Sequence, residues 1–267
     1  CPPDYFLAAV ASLGSPVCNI GTRHQLYPIS WLRVKRPLLD RFAAVIAVSE
    51  AVRDGLLACG MPPRQVVTVL NGIPPREPAV PPASLRRELG LPANTGPVIG
   101  QVGRLSGEKE PDLVLQAAAR LQGRWPGLQV VFVGDDGGGD RQSADRLREL
   151  GRRHRLAVRI CGYRPDAARL MPAFDVLAVT SRAEPFGLVT AEALARGVPV
   201  VATRSGGSRE IIRDGREGLL VAPGDPRALA RAISRLLAEH DLRARCMAAG
   251  PRRVAACFTH ARQLADT

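Results

Sequence analysis

Nine short apolar runs separated by amphipathic stretches predict an α/β protein built on parallel sheets. A proline-rich break near residue 78 predicts that it has two domains. The runs span 17–21, 45–49, 66–70, 98–102, 130–133, 158–161, 176–179, 198–202 and 218–221. Each is apolar at successive positions, as a strand covered by helices on both faces must be. Between them, 112–121, 145–154, 188–195 and 227–239 repeat apolar residues at helical spacing. The segment "PPREPAVPP", residues 74–82, holds five prolines in nine positions, which suits neither a helix nor a central strand. The expected division is therefore 1–73, the back part of one α/β domain; 74–83, a linker; and 84–267, a complete second domain.

Composition narrows the function. The 267 residues are 46% apolar and 23% charged, ordinary for a globular chain, and no apolar run is long enough to span a membrane. The chain starts at Cys1 with no signal-peptide pattern, which reads as a fragment whose true start lies upstream; a lipoprotein beginning at Cys1 is the alternative. Six scattered cysteines without a CxxC pair suggest reduced, buried thiols in the cytoplasm, and four dispersed histidines suggest no metal site. Net charge is +12, but aromatics are only 4% and none interleave with the basic runs, so nucleic acid is not the expected partner. Only two of the 37 basic residues are lysines, Lys35 and Lys109.

Ligands of open parallel sheets bind at the carboxyl ends of strands. Three loops there carry unusual residues. In "GQVGRLSGEKE", residues 100–110, Gly103, Arg104 and Lys109 stand before a helix start, a natural diphosphate clamp. In "VGDDGGGD", residues 133–140, three aspartates would repel a pyrophosphate, so the glycines read as a turn. In "SRAEPFGLVTAEALA", residues 181–195, Gly187 allows close approach and the amides of Phe186, Gly187 and Leu188 are free to meet an anion. Glu184 and Glu192 flank that start. Carboxylates only accept hydrogen bonds, so their partners beside a phosphate should be hydroxyls. A diol, a diphosphate and a second diol describe a nucleoside diphosphate sugar.

The motifs "VGRLSGEK", "EPFGLVTAE", "GVPVVATRSGGSREII" and "EGLLVAPGDPRALARAI" resemble those of retaining glycosyltransferase family four. "VIAVSEAVRDGLLACGMPPRQVVTVLNGI" resembles the end of that family's N-terminal domain. The resemblance implies a GT-B fold: two Rossmann-like parallel-sheet domains, the N-terminal one incomplete here. It implies that Arg104 and Lys109 bind the donor diphosphate, that Glu184 meets the transferred sugar, and that Glu192 meets the ribose. The amides from Phe186 to Leu188 would contact phosphate and sugar. Tyr163 and Arg164 would lie beside the base, and His24, in "GTRH", would face the sugar or serve as a buried structural histidine. Gly206 and Gly207 shape a cleft wall or a plain turn. No metal or further cofactor is implied. The acceptor would be a glycan, lipid-linked or small-molecule hydroxyl.

Two departures stand out. Glu110 occupies a position where the family usually has glycine, which adds negative charge near the phosphates, and the first half of the N-terminal domain is missing. The alternatives are a non-catalytic nucleotide-sugar-binding remnant, a sugar-nucleotide epimerase of the same fold and a basic nucleic-acid binder. "SWLRVKRPLLDRF", residues 30–42, mixes apolar and basic side chains and suits peripheral contact with the inner face of an anionic membrane, or a surface helix packed on the core.

Overall fold

The structure, a computed structural model, describes residues 7–8, 10–12, 15, 17–26, 41–75, 77, 79–135 and 142–267. Most of the basic stretch at 30–42 and the glycines at 137–139 lie outside them, as does Cys1. Two parallel sheets are present, as expected. The first is β1 (Asn19–Arg23), β2 (Phe42–Ala47) and β3 (Val66–Thr68), side by side in that order, with helix α1 (Glu50–Ala58) after β2.

The second sheet has β4 (Val98–Val102), β5 (Gln129–Val133), β6 (Ala157–Ile160), β7 (Val176–Val179), β8 (Val200–Thr203) and β9 (Leu219–Val221). Its order is β6-β5-β4-β7-β8-β9, so the chain reverses direction of growth between β4 and β7. That reversal opens a crevice at the carboxyl ends of these two strands, because the connections leaving them diverge to opposite sides. The helices are α2 (Pro82–Glu88), α3 (Pro111–Ala119), α4 (Gln142–Arg153), α5 (Ala167–Leu170), α6 (Leu188–Ala195), α7 (Ser208–Ile211), α8 (Pro226–Ala238), α9 (His240–Cys257) and α10 (His260–Asp266).

Alternation along each strand divides the core. Val98, Val131, Leu177 and Val200 are buried on one face of the second sheet, while Ile99, Val130, Val176 and Val201 are buried on the other against α3 and α8. The first face is continuous with the core of the first sheet through Ile73, Val254 and Phe258. The chain end closes this link. Ile73 bridges Thr259, and the amide of Gly72 donates to Gln263 of α10 at 2.9 Å.

The linker reading needs one correction: Pro82 opens α2 with Pro81 as its N-cap. Proline lacks an N–H, and the first turn of a helix does not need one. Arg86 of α2 donates to Ala173 O at 2.9 Å and to Asp175 at 2.7 Å, which seats α2 against the second sheet. The cysteines differ from expectation as well. Those described are free, but only Cys246 is buried and Cys18 is exposed. Among the described residues, no helix is long and apolar enough to cross a membrane.

Gly100 allows β4 to sit under the Phe174 ring, since a Cβ there would lie 2.2 Å from Cδ2. Gly100→Ala overpacks this point and should cost about 1–3 kcal/mol. The expected result is a thermal midpoint lower by at least about 2 °C, read by calorimetry.

Candidate functional site

The crevice over β4 and β7 holds a cavity of about 280 Å³. Both sheets contribute to it: His24 and Asn71 from the first, Gly103 and Lys109 from the loop after β4, and Glu184 through Val189 from the loop after β7 into α6. Lys109 Nζ donates to Glu184 Oε2 at 2.8 Å, and Ser181 Oγ donates to the same oxygen at 2.7 Å. No described residue donates to Oε1, and Glu184 is among the residues that line the cavity. The Glu184 side chain is only 11% exposed, so its charge depends on these partners.

Lys109 is aimed from its backbone. Its carbonyl accepts from Gln101 Nε2 at 2.8 Å and from Thr180 Oγ1 at 2.7 Å, which binds the loop to the ends of β4 and β7. The next residue, Glu110, stands in the left-handed region at φ 45° and ψ 55°. Its carboxylate is held by Arg182 Nε at 2.7 Å and is absent from the cavity wall. The negative charge feared at this position is therefore turned away and neutralised. The cost is conformational, together with a buried Oε2 that has no partner.

At the other wall, Gly187 takes φ 105°, a left-handed geometry that glycine adopts freely, and no side chain caps α6. The first amides of this helix are thus available at the cavity edge. Gly206 and Gly207 fit against this turn: added Cβ atoms would lie 2.0 Å from Glu184 O and 2.3 Å from Phe186 O. Glu192 lies one turn into α6, on the face of Leu188, and is half-buried. Burial pushes its carboxyl above the ordinary range, opposed by nearby Arg196. His24 is exposed, so it is not the buried structural histidine of the alternative reading, but partial desolvation still pushes its imidazole below its usual value.

Not every candidate converges. Arg104 is well exposed and sits 3.7 Å from Glu108 rather than in the cavity wall. Tyr163 is exposed. Arg164 is engaged by Asp166 and Glu88 at 2.8 and 2.7 Å. Sequence reading missed Gln101, Thr180 and Ser181, which hold Lys109 and Glu184 in place. The one signal for Gln101 was an amide inside an otherwise apolar strand. Among the described residues, no group of three histidine, cysteine or acidic side chains could hold a metal ion.

Two outcomes test this geometry. Glu110→Gly relieves the left-handed strain and removes the unpaired oxygen, and it loses only an ion pair to a largely exposed arginine. It should be more stable than the parent by up to about 1 kcal/mol, whereas Glu110→Ala, which keeps the strain, should fall about 1 kcal/mol below the glycine variant in denaturant titration. Glu192, with its pKa raised on folding, makes the fold lose stability as pH rises from the ordinary carboxylate range through the raised value. Glu192→Gln should remove that slope in pH-dependent melting and be the more stable protein at neutral pH.

Known proteins share this architecture and these motifs. Residues 85–253 match the family described as Glycosyl transferases group 1, and residues 2–77 match Glycosyltransferase Family 4. Among curated relatives, the D-inositol 3-phosphate glycosyltransferase of Corynebacterium urealyticum is 42% identical over 164 residues, 59% of this chain and 38% of that protein. The lipopolysaccharide core biosynthesis glycosyltransferase LpsE of Rhizobium meliloti is 38% identical over 161 residues, 60% of this chain and 45% of its own length. The chain thus spans about two-fifths of such relatives. Among solved structures, Anabaena HepE in complex with UDP-glucose superposes with a TM-score of 0.89 at 28% identity, over 100% of this chain and 75% of that one. The chain belongs to the glycosyl transferases group 1 family and has the two-sheet GT-B architecture.

Proposed function

We propose that this cleft binds a nucleoside diphosphate sugar of the UDP class and that the protein transfers the sugar to a hydroxyl with retention at the anomeric carbon. The observation that carries the reading is the meeting of Lys109, Glu184 and the uncapped start of α6 at the crevice, with His24 facing them from the other sheet. A cation, a carboxylate with one free oxygen and a row of amides match a phosphate beside a polyol. The likeness to HepE, solved with UDP-glucose, supports the nucleotide class.

In this reading the donor's β-phosphate takes Lys109 from Glu184, and Glu184 accepts hydroxyls of the sugar in exchange. Glu192 accepts the ribose hydroxyls. The bond from the anomeric carbon to the phosphate oxygen breaks, and negative charge gathers on the leaving diphosphate. Lys109 and the α6 amides stabilise that charge. The acceptor oxygen bonds to the same face of the anomeric carbon, and its proton passes to the departing phosphate. Neutral His24 stands within the cavity to hydrogen-bond the sugar without adding charge. Closure of the two domains about the segment before α2 excludes water from the oxocarbenium-like centre. The acceptor is a glycan, lipid-linked or small-molecule hydroxyl, and the reaction runs on the cytoplasmic side.

Calorimetric titration with UDP, GDP and ADP tests the donor site. UDP should bind in preference, and Lys109→Ala and Glu192→Ala should each weaken it about tenfold or more, the worth of one charged hydrogen bond. Affinity should also fall as pH drops through the raised Glu192 value, and Glu192→Gln should bind weakly with a flat profile over that range. Equal binding by all these proteins would overturn the assignment.

A further inference from the structure

A second cavity, of about 560 Å³, lies between α9 and the 213–217 loop that leads into β9. It shares no lining residue with the donor cleft. Five guanidiniums line it, from Arg213, Arg216, Arg245, Arg252 and Arg253, against the single carboxylate of Glu217. That carboxylate is fully buried and already engaged: Arg213 holds it through Nε and Nη2 and donates its backbone amide at 2.9 Å. Arg245 and Arg252 are exposed and make no ion pair with any described residue. Arg253 donates Nη2 to Glu210 O at 2.9 Å and lies over the Phe258 ring, while its Nε is buried without a partner.

The helix face is built for approach. Arg245, Ala249, Arg252 and Ala256 recur at helical spacing, so two forks flank a floor of methyl groups. Like charges gathered around one concavity repel each other in the absence of a counter-ion, and guanidinium forks match the oxygens of phosphate in pairs. We propose that this groove binds a phosphate-bearing anion, either a phosphorylated lipid headgroup or a free phosphate compound, separately from the donor. The assignment goes beyond the transferase reading and does not depend on it.

The test uses the whole chain, held in excess UDP so that the donor cleft is occupied. One arm titrates inorganic pyrophosphate by calorimetry. The other floats the protein with phosphatidylcholine vesicles, with and without phosphatidylglycerol. Arg245→Gln/Arg252→Gln is compared with Arg227→Gln/Arg231→Gln, which removes the same charge from exposed positions on α8. Both groove side chains are exposed and unpaired, so the thermal midpoint should stay unchanged. The groove variant should lose binding about tenfold in at least one arm, with the α8 variant like the parent. Loss with pyrophosphate identifies a free phosphate ligand; loss with anionic vesicles alone identifies a headgroup. Equal binding by groove variant and parent in both arms, or an equal loss by the α8 variant, would overturn the proposal. Because the comparison is between variants, it reads the groove even if UDP fails to bind.

Discussion

Glu184 is the residue on which the crevice depends. Its carboxylate collects Lys109 from the loop after β4 and Ser181 from its own loop. Its carbonyl takes the amide of Gly207, from the loop after β8, at 2.8 Å. Three loops leaving three strands are thus fixed by one residue. A charge so little exposed is unfavourable unless paired, so nothing can leave Glu184 without a replacement arriving. This makes Lys109 a transferable cation. It is held in place by a partner it can surrender only when that partner gains other donors, and in the proposed complex the sugar hydroxyls are those donors.

The same loops join the two sheets. Ser49, the N-cap of α1, accepts from Val52 N and donates to Pro185 O at 2.5 Å, next to Glu184. Glu210 of α7 accepts from the amides of Glu50 and Ala51 at 2.9 and 3.0 Å, so a carboxylate of one domain caps a helix of the other. Behind them, Phe186 meets Phe258 edge to face with ring centroids 5.7 Å apart. The turn that opens α6 at the cavity wall is therefore the turn that touches the first domain. Any change in the angle between the domains acts directly on the geometry at Gly187.

Much of this was legible in sequence, for reasons that can be located. Strands 98–102 and 176–179 and helix 188–195 form at those residues because glycine or polar turns interrupt apolar runs there. Lys109, Glu184 and Gly187 were recognisable because they follow such strands. His24 was recognisable through its motif alone, and only the fold places it in the same cavity. Glu110 could not be read: nothing in its neighbours announces a left-handed backbone, and Arg182, its partner, lies 72 positions away. Helix α9 escaped too, because Pro251 lies inside it and its arginine and alanine pattern gives little contrast between faces. Asn71 and Glu210 stand in quoted motifs and Gln101 in a strand, but none of the three announces a contact by its residue type. Their roles come from what the topology sets beside them.

Several local irregularities border the crevice. Gln101 Oε1, Ser106 Oγ, Glu110 Oε2 and Asp112 Oδ1 are buried and unpartnered within one twelve-residue stretch, and so is Thr190 Oγ1 in α6. The same region holds a left-handed glutamate, an uncapped helix start and a half-buried Glu192. Each is unfavourable alone, and packing elsewhere has to sustain them together. The β-strands beneath show the opposite character, with apolar side chains buried on both faces and regular parallel pairing. The unpartnered groups near the ends of β4 and β7 border the donor crevice, while others, at Gln65, Thr68, Trp125 and Arg253, lie elsewhere in the fold.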